Sequence, residues 1–255
     1  MLGWFHFLEE VLINALLFFY HGLGNNLGLA IILLTVALNL LIWPLSSKMI
    51  QMQKKQKILA PKLAEIKRKY SDKTERSKAQ MELYKEEGIN PAAGCLPIIV
   101  QMVLFIALAN VFRNFLGSPE VVTKLNDAAW YPSLQVAAGS LDTHFLIFDL
   151  AKNDAHKFHG ISLPGILVIT AALAQFFTSK AMMPAIHAEE KASEATESEK
   201  DDMQASIQKQ MTYLMPIMFL SFGMVYPSGL TLYFIASSIF TLLRFKVSFA
   251  KVTGN

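Results

Sequence analysis

The residues of this sequence with chemistry to offer are polar side chains set inside oily stretches. Thr35, Asn39 and Ser46 recur at spacings of four and seven within a nearly uncharged run, 27–47, and so form one stripe of a helix. Gln101 lies in a second run, 96–114, and Gln175, Thr178 and Ser179 lie in a third, 163–183. In the last run, 211–243, Thr231, Ser238 and Thr241 share a face with Phe234 between them, and Tyr233 adjoins it. Amides and hydroxyls donate and accept hydrogen bonds without carrying charge. Their chemistry is solvation of something polar in an apolar place, not bond making. Packing is the plainer account, since such side chains bond across membrane helices for ~0.6 kcal/mol each. Two glutamines and an asparagine at mid-run depth favour the sharper one, a shared hydrophilic cavity.

The runs hold no Asp, Glu or His, the residues an ion or proton pump needs in its spans. A transporter usually shows inverted repeats, and none is evident. His156 and His159 have no third metal ligand nearby in sequence, and Cys95 is the sole cysteine. There is no Ser-His-Asp pattern, Gly-rich phosphate loop or zinc-protease motif. The sequence reads as non-enzymatic, with no cofactor, no metal and no small-molecule substrate.

The elements that must position these residues are membrane helices. Of the 255 residues, 53% are apolar and 17% charged, and the apolar ones come in blocks. A helix needs ~20 apolar residues to cross ~30 Å of hydrocarbon, and a span must satisfy its own backbone groups. The expected fold is an all-α polytopic membrane protein. The last run is too long for one span, and Tyr226-Pro227-Ser228-Gly229 interrupts it with a residue lacking a helical N–H and one suited to a turn. Five transmembrane helices follow, at 24–47, 95–116, 161–183, 211–226 and 228–246, the last two near the lower length limit.

Residues 46–90 hold 12 of the 23 Lys and Arg, whereas 113–160 hold 4 and 1–25 hold none. The positive-inside tendency puts 48–90 in the cytoplasm. The N-terminus and the 117–160 connection are then outside, and the acidic 184–210 loop and the short 247–255 tail inside. Residues 1–23 read as an N-terminal interfacial helix, with Trp4, Leu8, Val11, Leu12, Ala15 and Phe19 on one face and His6, Glu10 and Asn14 on another. A sixth span is the rival reading, and no signal peptide is expected there. In the cytoplasmic segment Leu59, Leu63, Ile66 and Tyr70 keep helical spacing among Lys54, Lys55, Lys57, Lys62, Lys67, Arg68 and Lys69. Asp72 and its neighbours offer caps for a second helix from Thr74 to about Glu87, ended by Gly88. This basic helical hairpin is either a solvated loop that sets topology or a docking surface for anionic head groups, ribosomal RNA or an incoming chain.

Three stretches carry a family resemblance: "WPLSSKMIQMQKKQKILAPKLAEIKRKY", "MELYKEEGINPAAGCLPIIVQMVLFIAL" and "YPSGLTLYFIASSIFTLLR". Their order resembles the YidC family of bacterial membrane protein insertases, relatives of the Oxa and Alb proteins, from about residue 20 to 246. The resemblance implies a five-span core around a hydrophilic groove open to the cytoplasm and the lipid. It implies an insertase and chaperone in the bacterial cytoplasmic membrane whose partners are nascent membrane proteins and lipids, with the ribosome and a Sec translocon as further contacts. A hydrophilic flank of the client would enter the groove while its ~20 apolar residues slide into the bilayer, and no nucleotide would be consumed. A non-inserting assembly factor that holds partner helices is the alternative, and a solute channel is a weak third.

Asn39 departs from that family, which normally has Arg there, five residues before the proline that is here Pro44. A unit charge at 4 Å is worth ~4 kcal/mol at an effective dielectric near 20, a neutral hydrogen bond about 1. With Lys48, Arg113, Lys180 and Arg244 all near span ends, the expectation is a hydrated, nearly neutral groove and insertion driven by client hydrophobicity. The outer domain and the long basic tail of some relatives are not expected in this chain.

Overall fold

The computed structural model describes residues 3–88, 96–116, 120–137, 140–158, 161–181, 214 and 216–253; within these, the side chains of 45–57, 60, 67, 73, 96–98, 157, 158, 161 and 248–253 are not described. Helix α1 spans Gly3–Gly22. Two left-handed residues, Gly24 and Asn25, turn the chain, and the Asn26 side chain caps α2 by accepting from Leu29 N at 2.9 Å. Helix α2, Leu27–Lys69, runs 43 residues without a break, through Pro44 and Pro61. At ~65 Å it is about twice as long as a membrane crossing requires. The expected division at 47/48 falls inside this helix: the apolar segment and the first arm of the hairpin are continuous. Strong helix formers (Lys, Gln, Leu, Ala, Glu) carry it onward.

Helix α3, Lys73–Glu86, begins where the Asp72 carboxylate accepts from Thr74 N and Glu75 N at 2.8 and 3.0 Å. It ends before Gly88, whose φ of 65° suits a residue without Cβ. Leu59 and Leu63 of α2 bury against Leu83 and Tyr84 of α3.

Helix α4, Leu96–Val111, runs into a π turn at Phe112–Leu116. Helix α5, Val121–Ala128, and two β-hairpins follow: β1 (His144–Phe145) with β2 (Phe148–Asp149), and β3 (Ala155–Phe158) with β4 (Ile161–Pro164). Residues Ile161–Pro164, expected to open the third span, are strand, and α6 occupies Ile166–Ala181. Helix α7, Pro216–Val225, and α8, Ser228–Thr253, lie on either side of the Tyr226-Pro227 break. The expected tail at 247–255 is helical as far as Thr253.

Among the described residues, three helical segments are long and apolar enough to cross a membrane: Leu27–Pro44, Ile99–Leu116 and Ser228–Val247. Ile166–Ala181 and Pro216–Val225 are shorter apolar helices. The main core joins α1, α2, α4 and α8 through residues such as Leu16, Ile31, Leu108 and Leu230. The polar face expected on α1 is not wholly exposed. Asn14 is buried, donating to Glu10 O and Ala128 O at 2.9 Å and accepting from Trp130 N at 2.8 Å, while Trp4 is exposed. An amide that ties α1 to the end of α5 must face inward.

The segment 150–154 ties three helix ends together. Its Asp154 carboxylate accepts from Leu167 N and Val168 N in the first turn of α6, at 2.8 and 3.3 Å. Asn153 donates to Met224 O near the end of α7 at 3.0 Å. The carbonyls of Lys152 and Leu150 accept from Ser228 N and Gly229 N at the start of α8, at 2.7 and 2.9 Å. Backbone groups orphaned at helix ends are thereby satisfied.

Candidate functional site

Helix α8 is the hub of the polar residues. Each of three neighbouring helices presents one amide to it, and α8 answers each with a hydroxyl. Asn39 of α2 meets Ser237 Oγ through Nδ2 at 3.3 Å. Gln101 of α4 donates to Tyr233 Oη at 2.9 Å. On α6, Gln175 Oε1 accepts from Ser238 Oγ at 3.2 Å, and Thr178 Oγ1 reaches Ser238 O at 3.4 Å. All three hydroxyls fall within residues 233–238, a layer about 8 Å deep that begins about 8 Å from the start of α8. The polar layer is thus well inside the apolar segment Ser228–Val247.

The remaining candidates divide. Thr35 is fully buried and its hydroxyl donates to Ile31 O at 2.6 Å, a bond within its own helix. Phe234 packs among Phe105, Phe219 and Tyr233, with centroids 5.4, 4.4 and 5.3 Å away. Thr231 and Phe234 line a gap of about 10 Å³ with Phe219, Phe222 and Tyr226, scarcely room for one water. These residues form an aromatic wall beside the polar layer. Ser46 lies outside the described side chains, as do Lys54, Lys55, Lys57 and Lys67. Of the other hairpin cations, Arg68 and Lys69 are exposed, and Lys69 sits 5.5 Å from the Tyr70 ring. Lys62 pairs with Glu87 at 2.6 Å, and that hydrogen bond and charge raise its pKa.

Two residues escaped the sequence reading. Ser237, adjacent to Ser238, does not fit a single-face pattern, because a hub facing several helices uses more than one face. Arg244, placed near a span end, is only 7% exposed. Among the described residues, a fixed charge is therefore absent at the depth of Asn39 but present, buried, further along α8.

The geometry has counterparts among known proteins. The sequence model of the 60Kd inner membrane protein family matches residues 18–252. Proteins named membrane protein insertase YidC from Wigglesworthia glossinidia brevipalpis and Pelobacter propionicus are 31% and 32% identical to it over 95% and 94% of this chain. The chain spans 36% and 38% of their lengths, a little over a third. A crystal structure of an active YidC insertase with its first transmembrane domain resolved is similar at a TM-score of 0.55 and 25% identity, over 94% of this chain and 45% of that one. Because the match runs from the end of α1 through the whole of the polar layer, this chain belongs to the YidC/Oxa family of 60Kd inner membrane proteins.

Proposed function

We propose that the chain is a membrane protein insertase and chaperone. It takes the hydrophilic flank of a nascent membrane protein between α2, α4, α6 and α8 and releases the client's apolar helix into the bilayer. Nucleotide hydrolysis has no part in this; burial of the client's ~20 apolar residues drives it. In this reading the five spans are the first half of α2, α4, α6, α7 and α8, the two shorter ones crossing a locally thinned bilayer. Helix α1 lies on the outer interface, the α2–α3 hairpin hangs in the cytoplasm of a bacterium, and the C-terminus is inside.

The convergence of three amides on the hydroxyls of Tyr233, Ser237 and Ser238 carries the proposal. Each such bond is worth only ~0.6 kcal/mol in a membrane. The layer can exchange its partners for water or a client's polar groups at small cost. Arg68 and Lys69, exposed on the hairpin, suit contact with anionic lipid, the ribosome or a Sec translocon. Since the same pairs also close on one another, a non-inserting factor that holds partner helices is the second reading. Insertion of a single-span client into proteoliposomes separates the two. The insertase raises the yield several-fold over pure lipid, and a scaffold leaves it unchanged.

A further inference from the structure

The β1–β2 hairpin ends in a tip that the rest of the fold leaves bare. Leu146 and Ile147 are 83% and 81% exposed, the two most exposed large apolar side chains among the described residues. Leu41 and Val225, which lie in apolar helices, are 76% and 74% exposed. The tip thus has the exposure of a residue that faces lipid, yet it belongs to a loop. Its backbone is costly as well, since Leu146 has a φ of 56°, in the left-handed region. The first residue of such a two-residue hairpin loop is ordinarily Gly or Asn. A leucine there gives up backbone ease for little burial within the protein, so its gain lies outside.

The position of the tip follows from its anchors. The Phe145 ring fills the space beside Gly28 in the first turn of α2. Leu150 is fully buried and accepts from Gly229 N in the first turn of α8 at 2.9 Å. Its own N–H donates to Thr143 O at 2.8 Å and closes the base of the hairpin. The hairpin is therefore fixed to the first residues of two apolar segments, Leu27–Pro44 and Ser228–Val247. These segments are about 27 and 30 Å long, the thickness of the hydrocarbon, so their first residues mark its edge. The interfacial layer adds only about 5–8 Å on each side. Leu146 is one Cα step of ~3.8 Å from Phe145, and Ile147 the same from Phe148, so the tip stays within that layer. Charged pairs flank it, Asp142 with His144 at 3.4 Å and Asp149 with Lys152 at 2.9 Å. The hairpin is thus charged at its base and apolar at its end.

We propose that Leu146 and Ile147 insert among the glycerol groups and upper acyl chains of the leaflet where α2 and α8 begin, the outer one in the topology above. The occupant of the tip is phospholipid, because the two span starts set its depth at that of the lipid interface. Held there, the hairpin fixes the depth of the 150–154 clamp, and with it the ends of α6, α7 and α8. The inference rests on α2 and α8 crossing the bilayer, not on insertion of clients.

The test is depth-dependent quenching with protein and lipid alone. The full chain, in phosphatidylcholine liposomes, carries an environment-sensitive fluorophore at Ile147→Cys or at His144→Cys, each in a Cys95→Ser background. Phosphatidylcholine spin-labelled near the top of its acyl chain quenches the 147 label several-fold more than the 144 label, and aqueous iodide does the reverse. Adding Leu146→Asp, which the left-handed backbone tolerates, returns the 147 label to iodide. That step shows that the tip, and not the dye, seeks the lipid. Equal iodide quenching at the two positions overturns the proposal, as does a 147 label that Leu146→Asp leaves in the lipid. Shielding that fades as the protein is diluted in lipid also overturns it, since the occupant is then a second copy of the chain. So does a tip shielded in native membranes but bare in pure lipid, whose occupant is another protein. A chain that inserts no client leaves all these outcomes unchanged, so the insertase reading fails separately.

Discussion

Asn39 and Ser237 face each other across the α2–α8 seam, amide nitrogen to hydroxyl at 3.3 Å, although 198 residues separate them in the chain. Asn39 Nδ2 also donates to Thr35 O at 2.8 Å, so the amide is held by its own helix and shared with the next. A double-mutant cycle of Asn39→Leu and Ser237→Ala should give a coupling of ~0.6 kcal/mol in thermal unfolding in detergent. Coupling above ~2 kcal/mol would mark a structural lock rather than an exchangeable pair.

Gly28, in the first turn of α2, leaves room for the Phe145 ring, which a Cβ at that position would overlap. Gly28→Ala should therefore destabilise by about 1–3 kcal/mol through overpacking. Adding Phe145→Ala should recover part of the loss, read as less-than-additive shifts in Tm.

Asp154 caps α6 from a distance, through Leu167 N and Val168 N. Asp154→Asn keeps the shape and gives up the charge facing two N–H groups and the helix dipole, so ~1–2 kcal/mol of stability should go. Hydrogen exchange should quicken at the first turn of α6 while the α2–α3 hairpin stays unchanged.

Asp149 stands beside that clamp. Partial burial pushes its carboxyl up, but hydrogen bonds from Lys152, Thr143 and Ala151 N, with the Lys152 charge, hold it below the usual aspartate range. A depressed carboxyl stabilises the fold above its unfolded value of ~3.9 and loses that contribution as the pH falls through the lower folded value. Amide protection around 149–154 should therefore be flat from pH 7 to about 5 and fall only below ~3.9. Loss of protection near pH 6 would mean that another group controls the clamp.

Single cysteines in a Cys95→Ser background read the orientation. His144→Cys should react with an impermeant maleimide added to intact cells, and Lys78→Cys only after the membrane is opened. The reverse pattern would invert the proposed topology.

Local signals were legible where one residue decides a local outcome. Asp72 and Gly88 bound α3 by capping and by φ, and Tyr226-Pro227 breaks α7 from α8. The amides Asn39, Gln101 and Gln175 stood out because polar groups are costly in lipid. Their partners did not, since which hydroxyl answers which amide depends on how α8 is rotated among three helices. Pattern divided the span from the cytoplasmic hairpin at 47/48 without showing that one helix runs through both. The 150–154 clamp was illegible because it accepts bonds from helix ends 13 to 79 residues away. Arg244 was placed only near a span end, for charge and position along a helix say nothing of the face on which a side chain is buried.

The central claim, that a client's polar flank enters the layer around Tyr233, Ser237 and Ser238, is tested most directly by site-specific photo-crosslinking to a stalled nascent membrane protein. A photoreactive residue at Ser237 should capture the hydrophilic flank, and one at the exposed Ile239 should capture lipid or the client's apolar segment instead. Capture of the flank at Ile239 and not at Ser237 would contradict the account, leaving the amide–hydroxyl layer as packing between helices.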